Sequence, residues 1–328
     1  MSPNPADSAS HAARRLRAML ALVCTCALWG LSFPVMKTLG LQLAALRGGI
    51  STWFVAAATL MVRFGSSAIL LAFSGLARPT AKEWQQALLM GLFTGTGMLF
   101  QMDALSFTSA STSAFLTQGY IVLLPVVAAV TARALPSLKI TLCVLTIASG
   151  LTLLSGFDWT RLRLGRGETE TLMAAFCFAF QILCLDHRAY RVNRTRIVSV
   201  LMFFAIALLL APVALASARG LADFEVLFST PVAGVLVLVL SVPCTTIAFG
   251  LMNRYQPEVS ASEAGIIYGA EPLFASVLAL FLPNFLAVLA RVSYSNERLS
   301  ERLVIGGGLV VVANVLLQSP FGSDLPKE

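Results

Sequence analysis

Residues 84–132 read WQQALLMGLFTGTGMLFQMDALSFTSASTSAFLTQGYIVLLPVVAAVTA, a run with one charged residue, Asp103. A membrane's hydrocarbon core is about 30 Å thick and takes roughly 20 helical residues to cross. The run is far too long for one crossing and almost free of charge, so it reads as two crossings joined by a tight hairpin near Asp103. Applied outward, the same ruler marks ten apolar spans: Ala18–Met36, Gly48–Ala77 (interrupted by Arg63), Trp84–Met102, Ala104–Ala132, Ile140–Phe157, Thr171–Leu185, Ile197–Ala218, Val226–Asn253, Ala264–Ala290 (interrupted by Glu271) and Leu303–Ser323.

Composition agrees with lipid as the solvent. Of the 328 residues 57% are apolar and only 12% charged, with a mean hydropathy of +0.82. Soluble domains carry about twice that share of charge, and this chain lacks the polar groups to coat a water-facing surface. The net charge of +7 does not point to nucleic acid, because the Lys and Arg residues lie between the apolar runs, as loop cations of membrane proteins do. The six cysteines (Cys24, Cys26, Cys143, Cys177, Cys184, Cys244) all fall inside apolar runs, as small core residues rather than disulfide or zinc ligands. Arg14, Arg15 and Arg17 precede a first span with no Ala-x-Ala site, which reads as a retained helix rather than a cleaved signal.

A shift of 151 positions aligns Cys26 with Cys177, Trp29 with Phe180, Lys37 with Arg188, Thr94 with Thr245, and Ser109-Ala110-Ser111 with Ser260-Ala261-Ser262. The chain therefore reads as one five-span unit written twice: a tail over 1–17, repeats over 18–157 and 171–323, a connection over 158–170 and a tail over 324–328. Five is odd, so the second copy enters the membrane from the opposite side. Inverted repeats are a signature of secondary transporters, whose halves rock about a shared midplane site. With the N-terminus inside, thirteen Lys and Arg residues lie inside against nine outside, which favours both termini in the cytoplasm of a bacterial-type inner membrane.

The stretches Ala27-Leu28-Trp29-Gly30, Thr108-Ser109-Ala110-Ser111 with Phe115-Leu116-Thr117 and Pro125, Gln256, Ser260, Glu271-Pro272, Asn296-Glu297-Arg298-Leu299-Ser300 and Gly306-Gly307-Gly308 together resemble the EamA-type members of the drug/metabolite transporter superfamily. The resemblance covers nearly the whole chain and implies ten helices in two inverted repeats, with carrier-type export or uptake of metabolites such as amino acids. Two stretches depart from the family pattern: Arg133-Ala134-Leu135-Pro136 replaces an acidic Glu-Arg-Leu turn, and extra residues lie at about Pro283 to Ser293.

Polar groups at membrane depth are costly and therefore functional candidates. Glu271 stands within the ninth run one turn from Tyr268, and the following Pro272 cannot donate to the Tyr268 carbonyl. An acid and a freed carbonyl on one face can bind an amine or take up a proton; the plain alternative is packing. Thr117 and Tyr120 are their repeat partners. Trp29, Gln101, Gln118 and Gln181 complete the candidate cavity wall, with interhelical packing as the alternative for each. Arg63 is expected to snorkel or to pair with an acid, Glu271 being one candidate, with a structural role as the favoured reading. Gly91, Gly95 and Gly306 to Gly308 are expected to let helices approach closely.

The leading function is a secondary carrier, an exporter of amino acids or related compounds. Its partners are a small-molecule solute and the bilayer, with a proton as candidate coupling ion, no nucleic acid, and a monomer or homodimer as the assembly. A channel or scaffold is the alternative. An enzyme is disfavoured, because the two histidines, His11 and His187, support no metal or nucleophile constellation. No nucleotide loop suggests a pump, and no cofactor is implied.

Overall fold

The computed structural model describes residues 5–73, 75, 77–108, 110–155 and 165–318. Among the described residues the regular structure is helical and contains no strand. The long runs become α1 (Pro5–Leu46), α2 (Thr52–Ala72) and α3 (Ala81–Ala104). The hairpin expected near Asp103 lies just after it, and the chain returns as α4 (Ala110–Thr117) and α5 (Tyr120–Ala132), followed by α6 (Leu138–Ser155). The second half runs through α7 (Arg166–Asp186), α8 (Thr195–Ser217), the short α9 (Leu221–Glu225), α10 (Pro231–Ser241), a π-helical turn (Val242–Ile247) and α11 (Ala248–Tyr255). It ends with α12 (Ala261–Tyr268), α13 (Glu271–Ala279), α14 (Leu282–Ala290) and α15 (Glu301–Gln318).

Local chemistry sets the helix starts. Thr80 caps α3 by accepting from the Glu83 N–H at 3.2 Å, while the Glu83 carboxylate accepts from the Thr80 N–H at 2.7 Å, a reciprocal capping box. Ser260 and Glu263 repeat the arrangement at α12.

Six helices among the described residues are long and apolar enough to cross a membrane, and a bent pair adds a seventh. That is short of the ten spans expected. In α3 the glutamines and acids dilute the apolar run, and the apolar part of α6, Leu138–Leu153, is short. The ninth run, expected as one crossing over Ala264–Ala290, is instead bent by 63° between Ala279 and Leu282. The extra residues of the second half form α14, which leaves the axis of α12 and α13. The N-terminal segment expected as a tail is helical from Pro5; of the connection expected over 158–170, residues 166–170 form the start of α7, while 158–164 and the tail over 324–328 lie outside the described residues.

The core packs α1 against α11 and α13, α2 against α8, α3 against α7 and α8, and α6 against α15. Leu20, Phe204, Leu208 and Val304 are each more than half exposed on outward faces, where water would be unfavourable and lipid is not. The expected glycine contacts are present at Gly91, where a Cβ would stand 2.9 Å from the Ala205 Cβ, and at Gly307, 2.7 Å from Leu273 Cδ1; none exists at Gly308.

Candidate functional site

Two helix breaks build the centre. α4 stops at Thr117 and α5 restarts at Tyr120; α12 stops at Tyr268 and α13 restarts at Glu271. These four positions obey the 151-residue shift, and so do the turn bonds Gly119 N–H to Leu116 O and Ala270 N–H to Ile267 O, both 3.0 Å. Glu271 thus opens a new helix with Pro272, rather than sitting inside a continuous one on a face shared with Tyr268. Proline suits a first helical turn, and the positive end of the helix favours a carboxylate there.

A cavity of about 50 Å³ lies where α1, α2, α3, α7 and α11 meet the two breaks. Trp29, Gln101, Thr117, Tyr120, Gln181, Tyr268 and Glu271 line it, so seven of the eight residues singled out in the sequence come together. Gln118 is not in the lining, but its side chain lies close to Glu271. Trp29 stands between the Phe249 and Tyr268 rings, with centroids at 5.2 and 5.4 Å. The Tyr268 hydroxyl donates to Gln256 Oε1 at 3.0 Å, and Gln256 Nε2 donates to the Ile182 carbonyl at 2.9 Å. Gln101 Nε2 donates to Thr117 Oγ1 at 3.1 Å, and Gln181 Nε2 to Met252 Sδ at 3.4 Å. Two buried polar atoms in this region have no protein partner: the indole N–H of Trp29, a donor, and Oε1 of Gln118, an acceptor.

Ser32, Met98, Phe178, Ile182, Phe249 and Met252 also line the cavity and were not singled out in the sequence. Arg63 lines it too, and the structure shows neither snorkelling nor, among the described residues, an acid partner for it. It does not snorkel, being 1% exposed, and no acid lies within ion-pair distance of it among the described residues. The π turn around Pro243 explains its partners. The Ala248 N–H reaches the Pro243 carbonyl, five residues back, and the Cys244 carbonyl instead accepts from Arg63 at 2.8 Å. π turns of this kind recur at functional sites.

Matching breaks in the two halves thus contribute to one cavity wall. The sequence profile of the EamA-like transporter family matches residues 16–156 and again residues 166–318. The chain belongs to this family. The EamA-like assignment agrees with the resemblance drawn from Ala27-Leu28-Trp29-Gly30 and the stretches grouped with it. A curated relative from Archaeoglobus fulgidus, described as an uncharacterized transporter, is 24% identical over 306 residues, covering 93% of this chain and 86% of the relative. A protein of known crystal structure shares the fold with a TM-score of 0.63 at 19% identity, over 95% of this chain and all of that one. This EamA-like protein is a multi-pass membrane transporter.

Proposed function

We propose that this EamA-like transporter is a secondary carrier that exports amino acids or related small organic metabolites by alternating access. Ten crossings in two inverted repeats, over 18–157 and 171–323, place both termini in the cytoplasm of a bacterial-type inner membrane. The observation that carries the proposal is the cavity at the paired helix breaks, where Glu271 opens a half-helix beside Gln118. Broken helices at the midplane of inverted repeats are where transporters hold their solutes. An ammonium group suits the Glu271 carboxyl, and Trp29, Phe178, Phe249 and Tyr268 offer an aromatic wall to an apolar side chain. The small free volume supports a closed carrier state over an open pore.

The test is a toxicity screen on cells overexpressing the protein, since an exporter protects against its own solute, followed by saturable counterflow in proteoliposomes. Glu271→Gln, expressed at the wild-type level, is expected to lose the proton-dependent part of that transport. Unchanged pH dependence in the variant removes the acid from the coupling step. Conductance far above carrier turnover removes the carrier itself.

A further inference from the structure

We propose that Arg63 is the carboxylate receptor of the transport site and that its Met36 contact marks the way out; this rests on the carrier reading above. A guanidinium at membrane depth is expensive unless its donors are matched. Arg63 has five N–H groups, and three are engaged: Nε with the Thr245 hydroxyl, one Nη2 hydrogen with the Cys244 carbonyl at 2.8 Å, and one Nη1 hydrogen with the Met36 thioether at 3.6 Å. A thioether is a weak acceptor. The Phe64 ring beneath the guanidinium, 5.6 Å from Cζ, accepts no further N–H in its plane. The cation is therefore held firmly along one edge by the π turn and left under-partnered along the other, in a cavity whose opposite charge, Glu271, it does not touch.

A planar fork with free donors is matched by a carboxylate better than by any neutral group. A zwitterion lying between Arg63 and Glu271 satisfies both charges at once, and its carboxylate displaces only the Met36 sulfur. Met36 is also the partition. Together with Lys37 it lines a second cavity of about 350 Å³ between the later part of α1, the start of α2 and the end of α3. A carboxylate that leaves Arg63 past Met36 meets Lys37 as the next cation. The two cavities are thus successive stations of one route, with Arg63 between them.

The experiment pairs the proteinogenic amino acids with their methyl esters, which keep the amine and side chain and lose the anion. Thermal stabilisation of purified protein and counterflow in proteoliposomes are both read. At least one free amino acid is expected to stabilise the wild type at a concentration ten or more times lower than its ester. Arg63→Gln is expected to abolish that preference, and Arg63→Lys, a charge without the fork, to restore part of it. The acid-against-ester comparison in the wild type needs no variant to fold. Esters that serve as well as acids, or an Arg63→Gln protein that keeps the preference, overturn the assignment and leave the carrier standing. An acid-over-ester stabilisation with no counterflow for any compound overturns the carrier and keeps the receptor. No response in either measurement overturns both.

Discussion

Glu83 shows how one carboxylate is used twice at the membrane boundary. It closes the capping box of α3, and it also receives the Arg194 Nε at 2.7 Å, the Arg194 Nη2 at 2.8 Å and the Arg194 backbone N–H at 3.0 Å. The Arg194 bonds chiefly, with those from Thr80, hold its pKa down to about 2 against the opposing effect of burial. An unfolded glutamate titrates near 4.3. A folded value below the unfolded one means that the ion stabilises the protein above pH 4.3 and that this contribution is lost as pH falls from about 4 towards 2. The melting temperature in detergent is therefore expected to hold between pH 7 and 5 and to drop below about 4. Glu83→Gln is expected to cost about 1–3 kcal/mol at pH 7, by leaving half-buried donors unmatched, and to flatten the acid drop. A variant with the wild-type melting curve at both pH values disproves this account. The same residue scale explains what could be read without a structure. Trp29, Gln101, Gln181 and Glu271 stood out because polar or amphipathic groups in apolar runs are rare. Phe178, Phe249 and Met98 did not, because an apolar side chain facing a cavity and one facing lipid look alike in sequence. Arg63 was visible as a charge, but its partners were not, since they depend on a carbonyl that only the π turn at Pro243 releases.

At the scale of elements, the breaks after Thr117 and Tyr268 were half legible. Pro272 announced a disturbance, and the 151-residue shift tied the two places together, but a helix restart cannot be told from a kink by residue type alone. The 63° bend between α13 and α14 carried a mark of the same kind, Pro283 in the first turn of α14, which reads in sequence as the start of extra residues rather than as a bend. Close helix approach was legible as glycine yet not as partner. Gly150 on α6 passes the backbone of α15 so tightly that a Cβ would stand 2.7 Å from the Gly306 carbonyl and 2.9 Å from the Leu309 Cβ. Backbone cannot yield as a flexible side-chain tip can. Gly150→Leu is thus expected to wedge α6 from α15, at a cost of about 1–3 kcal/mol for the overpacked contact, visible as a lower melting temperature in detergent. Gly308→Ala, at a position of the same helix that faces open space, is the control that should not lower stability and should raise it by up to about 1 kcal/mol through helix propensity. Equal melting temperatures for Gly150→Leu and wild type would show that α6 and α15 do not pack this way.

At the scale of the whole molecule, the 151-residue shift reaches beyond the cavity to its two ends. Arg15 on α1 and Arg166 on α7 occupy matching positions, and both are ion-paired. Arg15 joins Glu263 at the start of α12, and Arg166 joins Asp103 at 2.5 Å and Glu170 at 2.8 Å. Arg14, next to Arg15, pairs with Glu258, which shares a surface cavity with Gln86 from the first turns of α3; Asp103 stands in the last turn of the same helix. The matching arginines therefore close opposite ends of the bundle. A carrier must open one end while the other stays shut, because two open ends make a leak and two shut ends transport nothing. The cavity of about 50 Å³ fits a state with both pairs made. Each pair joins a partly exposed arginine to a largely buried carboxylate, so breaking it costs more than the roughly 1 kcal/mol of a surface pair unless the carboxylate gains water as its end opens. In a cysteine-free background carrying Ser32→Cys in the cavity wall, Arg15→Ala is expected to speed maleimide labelling from the Arg15 side alone. Arg166→Ala is expected to speed it from the Asp103 side alone. If both variants open the same side, or neither changes labelling, the two arginines are not opposed gates, and the symmetry of the chain stops at its breaks.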